Sequence, residues 1–311
     1  MVPSKISHQG PQLTSPHLTS SLSKLLLAPA SVAAGTALLD WVRSAREGID
    51  RGDMEIGILT VADVQQAPAA LRRAAEWGVP EAWLDLASWQ INPPLGTPDL
   101  AGATEALRSA ITAGVAGAEI RLVELRWFHQ RESASSHERV EAFQILNEVL
   151  RQTPNDAKAL HLLGFLTCQG FGTNADPAAA FELQRRAAAL GSADAVFELA
   201  IHYSSGLGVD QDDQAAFDAM KDAANAGNLR ALYNMGSFHA TGRYVAKNLP
   251  LAVEWYTRAA DAGHARAALT LAVMYATGEG VEQDTETASE YFEAAEHLGL
   301  DVQSVRESVG M

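Results

Sequence analysis

One cysteine, Cys168, stands among 311 residues. A lone thiol excludes an internal disulfide and a cysteine-based zinc site, and Cys168 reads as a small filler near the end of a helix. Basic residues are also scarce: 23 Lys and Arg against 38 Asp and Glu leave a formal net charge of −15. Such a surface repels phosphate backbones and argues against a nucleic-acid partner. Long apolar runs are missing too. The stretch Leu25 to Leu39 covers 15 residues and is broken by Pro29 and Gly35, so it is too short for a membrane span. The histidines show no ligand spacing. Asp210, Asp212 and Asp213 fail as a calcium loop, because Ala215 and Lys221 stand where such a loop needs glycine and glutamate. Arg51-Gly52-Asp53 spells an adhesion tripeptide, which three residues do by chance. No triad or carboxylate pair stands out. No catalytic residue, metal or cofactor is therefore assigned, and the expectation is a protein that is not an enzyme.

What is present is repetition. Gly191, Gly227, Gly263 and Gly299 are spaced 36 residues apart. Ala159, Ala195, Ala231 and Ala267 keep the same beat, as do Leu163, Leu199, Met235 and Leu271. A period in this range marks stacked helical repeats. Each copy opens with about a dozen residues at helical spacing. A glycine turn follows, as in Gly206-Leu207-Gly208-Val209. Asp176, Asp212, Asn248 and Asp284 then stand where a second helix begins and can accept from its exposed N–H groups. Pro177 sits at the favoured first helical position. Small residues at Ala180, Ala216, Ala252 and Ala288 allow close helix approach, and the phased glycine reads as a left-handed cap.

These phased positions, together with Ala231-Leu232-Tyr233-Asn234-Met235-Gly236 and with Tyr275, Gly278, Gly280, Val281 and Asp284, resemble the Sel1-like repeat family, a relative of the tetratricopeptide repeats. The resemblance implies an all-α fold, a right-handed superhelical α-solenoid of stacked antiparallel helix pairs. Thr167 and His239 replace a tyrosine of the pattern, and Tyr244 replaces a glycine.

The beat extends upstream more faintly through Gly78 and Gly114, with Asp99, Ala103 and Ala110 in cap and small-residue positions. Asn92-Pro93-Pro94-Leu95-Gly96 makes a stiffer connection in that unit. Pro68 would break a helix begun at Asp63, so that helix is expected to start nearer Ala67. Gly114 to Asn155 spans 41 residues, and the excess is expected in a polar loop around Glu132 to His137. The division expected is a disordered tail over 1–28, an N-terminal capping helix region over 29–64, the repeat solenoid over 65–300 and a C-terminal cap or tail over 301–311. Val32, Leu38, Leu39, Trp41, Val42 and Ala45 give the capping helix its apolar face. A cytoplasmic location is expected, with a secreted or periplasmic one, through an atypical N-terminal signal, as the alternative.

In proteins of the resembled kind the first helix of each pair lines the concave side. Mapped by phase, its exposed positions form three rows. Lys158, Asp194, Arg230 and Arg266 make the first, with three cations of four. His161, Phe197, Tyr233 and Leu269 make the second, and Phe165, Ile201, Ser237 and Val273 the third. An apolar floor edged by cations suits a protein or peptide partner with an acidic group. Changing Arg230 and Tyr233 together is expected to remove binding without loss of stability. The function expected is a non-enzymatic scaffold or adaptor. The alternative is a secreted cell-wall or small-ligand binding protein or hydrolase of the resembled class. A homo-oligomer built through exposed solenoid ends is a third reading.

Overall fold

Small residues at fixed phase, polar caps and glycine turns each act locally, and the helices they delimit follow one another without a strand among the described residues. The structure, a computed structural model, describes residues 22–50 and 61–311. Residues 1–21 of the expected tail and the Arg51-Gly52-Asp53 tripeptide lie outside them. The chain divides into two compact units, one up to Ala134 and one from Ser135 to Met311.

The first unit holds α1 (Leu22–Leu26), α2 (Val32–Asp50), α3 (Val61–Glu76), α4 (Ala82–Ile91), α5 (Leu100–Thr112) and α6 (Ala118–Phe128), each packed on the next. Helix α1 falls inside the span read as tail, and its Leu22 is fully buried. The expected face of α2 is inward at Leu38, Leu39, Trp41, Val42 and Ala45, whereas Val32 is exposed. Pro68 lies inside α3 instead of delaying its start. Its missing N–H costs one helical bond. Burial of Val64, Ala67, Ala70, Leu71 and Ala74 along one face offsets that loss. Asp99 caps α5 as its phase requires, accepting from Gly102 N at 2.9 Å.

The second unit holds α7 (Ser136–Gln152), then four pairs: α8 (Ala157–Gln169) with α9 (Pro177–Ala189), α10 (Ala193–Ser205) with α11 (Asp213–Asn225), α12 (Leu229–Thr241) with α13 (Leu249–Asp261), and α14 (Ala265–Thr277) with α15 (Thr285–His297). A short α16 (Gln303–Ser308) follows. All eight paired helices have 13 residues. This run of stacked helix pairs is the α-solenoid expected from the repeat. Helix α7 has 17 residues, so the excess length enters a helix and not a polar loop. Ser136 and His137 are its first residues, fixed by a capping box between Ser135 and Glu138.

Caps explain why the helices begin where they do. Asp156, Ser192, Asn228 and His264 each accept from the third backbone N–H of a first helix. Asp176, Asp212, Asn248 and Asp284 do the same for the second helices. The turns are pinned by a further repeated bond, Asp212 N to Tyr203 O at 3.0 Å, Asn248 N to His239 O at 2.8 Å and Asp284 N to Tyr275 O at 2.9 Å. The core lies between the paired helices, where a small residue of the first meets a large one of the second. A Cβ on Gly236 would stand 2.5 Å from the Tyr256 ring. Ala272 meets Phe292 in the same phase, both buried in one cluster. Helix α16 closes the last pair with Val302 buried against Ala268, Ala272 and Phe292.

Candidate functional site

The three expected rows run along α8, α10, α12 and α14, and burial separates their members. In the first row Lys158, Asp194, Arg230 and Arg266 are all exposed. Arg230 is engaged: its guanidinium lies 4.2 Å from the Phe197 ring centroid and pairs with Glu198 at 3.3 Å. Glu198 is mostly buried, with 12% of its side chain accessible. Burial, with a smaller contribution from nearby Asp194, pushes its carboxyl up to about 7 against the opposing pull of Arg230. Asp194 accepts from the Asn228 amide at 2.7 Å.

The second row is partly inside the protein. His161 and Phe197 are buried at 7% and 6% exposure, so both leave the set of exposed groove residues. The cause in the first case is Gln184, whose amide donates to the His161 carbonyl at 3.1 Å while its oxygen meets Nδ1 at 2.8 Å. A carbonyl oxygen only accepts, so the His161 proton sits on Nδ1. Phe197 is buried beneath Arg230. Tyr233 is half-buried and stacks on His264, 4.7 Å between ring centroids and 11° from parallel. His264 Nδ1 accepts from Ala267 N, and burial, the largest cause, holds its pKa below the usual imidazole range. Leu269 packs against the C-terminal cluster. Arg230 and Tyr233 therefore both serve inter-repeat packing, and the expectation that changing them spares stability is corrected.

In the third row Phe165, Ile201, Ser237 and Val273 are half-buried. Phe165 lies edge-on to His161 at 4.9 Å. Ser237 reaches the Tyr256 hydroxyl, a group that burial pushes up to about 12. Ile201 and Ser237 share a cleft of about 550 Å³ between α10 and α12. Ala200, Ala216, Met220 and Phe238 give its buried floor. Ser204, Asn234 and Thr241 add polar groups, and Arg243 with Tyr244 stands at its end. A second, more open depression of about 480 Å³ is lined by Gln211, Asp213, Gln214, Arg243 and Tyr244. Sequence phase found Ile201 and Ser237. It missed Asn234, Arg243 and Tyr244, although the replacement of a phased glycine by Tyr244 was the available signal.

Cys168 is half-buried and free, with its thiol pushed up by burial first and by Glu198 second. No group of three or more His, Cys, Asp and Glu side chains is arranged to hold a metal ion among the described residues. No helix among them is long and apolar enough to cross a membrane.

Comparison with known proteins follows this geometry closely. A family model described as the Sel1 repeat matches residues 157–192, 193–228, 229–264 and 265–300. Each match begins on the first residue of α8, α10, α12 or α14. No curated protein matches. Among solved structures, a protective antigen of uropathogenic Escherichia coli displaying an SLR fold is 25% identical at a TM-score of 0.51, over 78% of this chain and 52% of that one. The chain thus spans about half the length of that relative. A Sel1 repeat protein from Oxalobacter formigenes is 22% identical with a TM-score of 0.51, over 92% of this chain and 99% of that one. An immunity protein from Pseudomonas aeruginosa is 18% identical with a TM-score of 0.54, over 71% of this chain and 82% of that one.

Proposed function

We propose that this chain, which is a Sel1-like repeat protein, works as a non-enzymatic scaffold in the cytoplasm that holds a protein or peptide partner on the first helices of its repeats. The observation that carries the reading is the placement of Lys158, Arg230 and Arg266 on exposed, phased positions of α8, α12 and α14, in a chain with a net charge of −15. Half-buried Phe165, Ile201, Tyr233, Leu269 and Val273 lie between and beside these cations. Cations at the margin of apolar surface attract and orient an acidic partner, while burial of its apolar groups supplies the affinity. His161 and Phe197 hold the surface in shape from below and do not touch the partner in this reading.

Affinity capture from a native extract, with partners identified by mass spectrometry, tests it. Lys158→Glu with Arg266→Glu changes two exposed positions, and the double variant should melt within about 2 °C of wild type, in keeping with the small effects of surface substitutions. The expected result is at least one partner retained by the wild type and lost by the variant. An unchanged set of partners overturns the assignment of this face.

A further inference from the structure

The turn after each first helix rests on the start of a second helix in the preceding repeat. Gly172 and Gly208 lie so close to that helix that an added Cβ would overlap the carbonyls of Arg139 and Pro177. At Gly280 an added Cβ would stand 2.6 Å from the Leu249 Cβ. Glycine is required there twice over, by contact and by φ values of +74° to +80°. The fourth copy of the position is Tyr244, at φ +65°, the one non-glycine residue with positive φ among those described. Its landing place by phase is Asp213. A Cβ cannot enter the contact that the glycines make, so the turn stands off. The depression lined by Gln211, Asp213, Gln214, Arg243 and Tyr244 occupies that gap, and the larger cleft over Met220 and Phe238 adjoins it through Arg243 and Tyr244.

We propose that this Tyr244 cleft is a docking site for a peptide presenting a bulky apolar side chain next to a single carboxylate. Size and polarity specify the first group: the floor at Ala200, Met220 and Phe238 is apolar and buried. The Tyr244 ring stands edge-on to Phe238 at 4.9 Å and walls one end. Arg243 specifies the second. Its guanidinium lies 4.8 Å from the Tyr244 ring centroid and donates to the Tyr244 hydroxyl at 2.9 Å, which holds it at the opening. Neither Arg243 nor neighbouring Lys247 forms an ion pair among the described residues. An unpaired, pre-placed guanidinium recognises a carboxylate in two-toothed fashion. Asp213 across the gap sets a limit, because it repels a second acidic group. The inference rests on the scaffold reading and places its anchor at residues outside the three phased rows.

Calorimetric titration with the capped hexapeptide Ac-Ser-Gly-Phe-Glu-Gly-Ser-NH2 tests the cleft directly. Wild-type protein should bind it, and at least tenfold more tightly than the peptides in which Phe is replaced by Ala or Glu by Gln. Arg243→Glu should weaken binding at least tenfold. Tyr244→Gly should do the same, and it restores the residue type of the other turns, so folding is not the obstacle. Lys158→Glu with Arg266→Glu should change the affinity less than twofold. Absence of wild-type binding, or equal binding by Tyr244→Gly, overturns the cleft. If native partners are lost with the Lys158/Arg266 variant but kept by Tyr244→Gly and Arg243→Glu, the cleft falls while the scaffold reading stands.

Discussion

Glu198 carries the largest electrostatic tension described on the first-helix face. Its carboxyl titrates near 7 in the fold because burial disfavours the anion more than Arg230 favours it. An unfolded glutamate titrates near 4.5 by the reference used for that group. Between these values the folded chain binds more proton than the unfolded one. The group's contribution is therefore fully present below about 4.5 and is lost as pH rises through about 7. Glu198→Gln removes the titration. The melting temperature of the variant relative to wild type should be more favourable at pH 8 than at pH 5, and a constant difference would contradict the assignment. Tyr244 holds a second tension, since a non-glycine residue in the left-handed region costs on the order of 1–3 kcal/mol. Sequence reading caught the glycine replacement at 244 without its consequence. Phase gives the position of a residue along a helix pair but not the depth at which it lies. For the same reason His161 and Phe197 passed for exposed: the partners that bury them, Gln184 and the Arg230 stem, come from other helices.

Helices were the most legible element, because what starts and stops them is local. Asp176, Asp212, Asn248 and Asp284 all make the cap bonds their types require. Asp212 accepts from both Gln214 N and Ala215 N. Asp212→Ala should cost about 1 kcal/mol, read as a lower urea midpoint. Hydrogen exchange should rise in α11 and its neighbours and not in α14 or α15, because stacked repeats couple to nearest neighbours. Exchange accelerated uniformly along the unit would contradict this. Errors fell where a local rule was overruled by packing. Pro68 reads as a helix breaker, yet α3 runs through it on a fully buried Ala67, Ala70 and Leu71. The polar run Glu132 to His137 reads as an inserted loop, yet its last two residues open the longer α7 behind the Ser135 cap.

At the scale of the whole molecule, the family model marks four repeats in the second unit, and the end of that unit is finished by different chemistry. Leu269, Leu300, Val305, Val309 and Met311 pack around the Ala268, Ala272, Phe292 and Val302 cluster. Truncation after Leu300 would uncover that cluster. The shortened chain should melt at a lower temperature and associate with rising concentration in light scattering, whereas an unchanged monodisperse profile would show that α16 is dispensable. The seating of Gly172, Gly208 and Gly280 on Arg139, Pro177 and Leu249 has a direction: each turn lands on a helix start that precedes it in the chain. During synthesis that landing place has already left the ribosome when the turn emerges. The second unit can thus be laid down pair upon pair as it is translated, with no pair waiting for a later one until the last, which stays open until Val302 arrives.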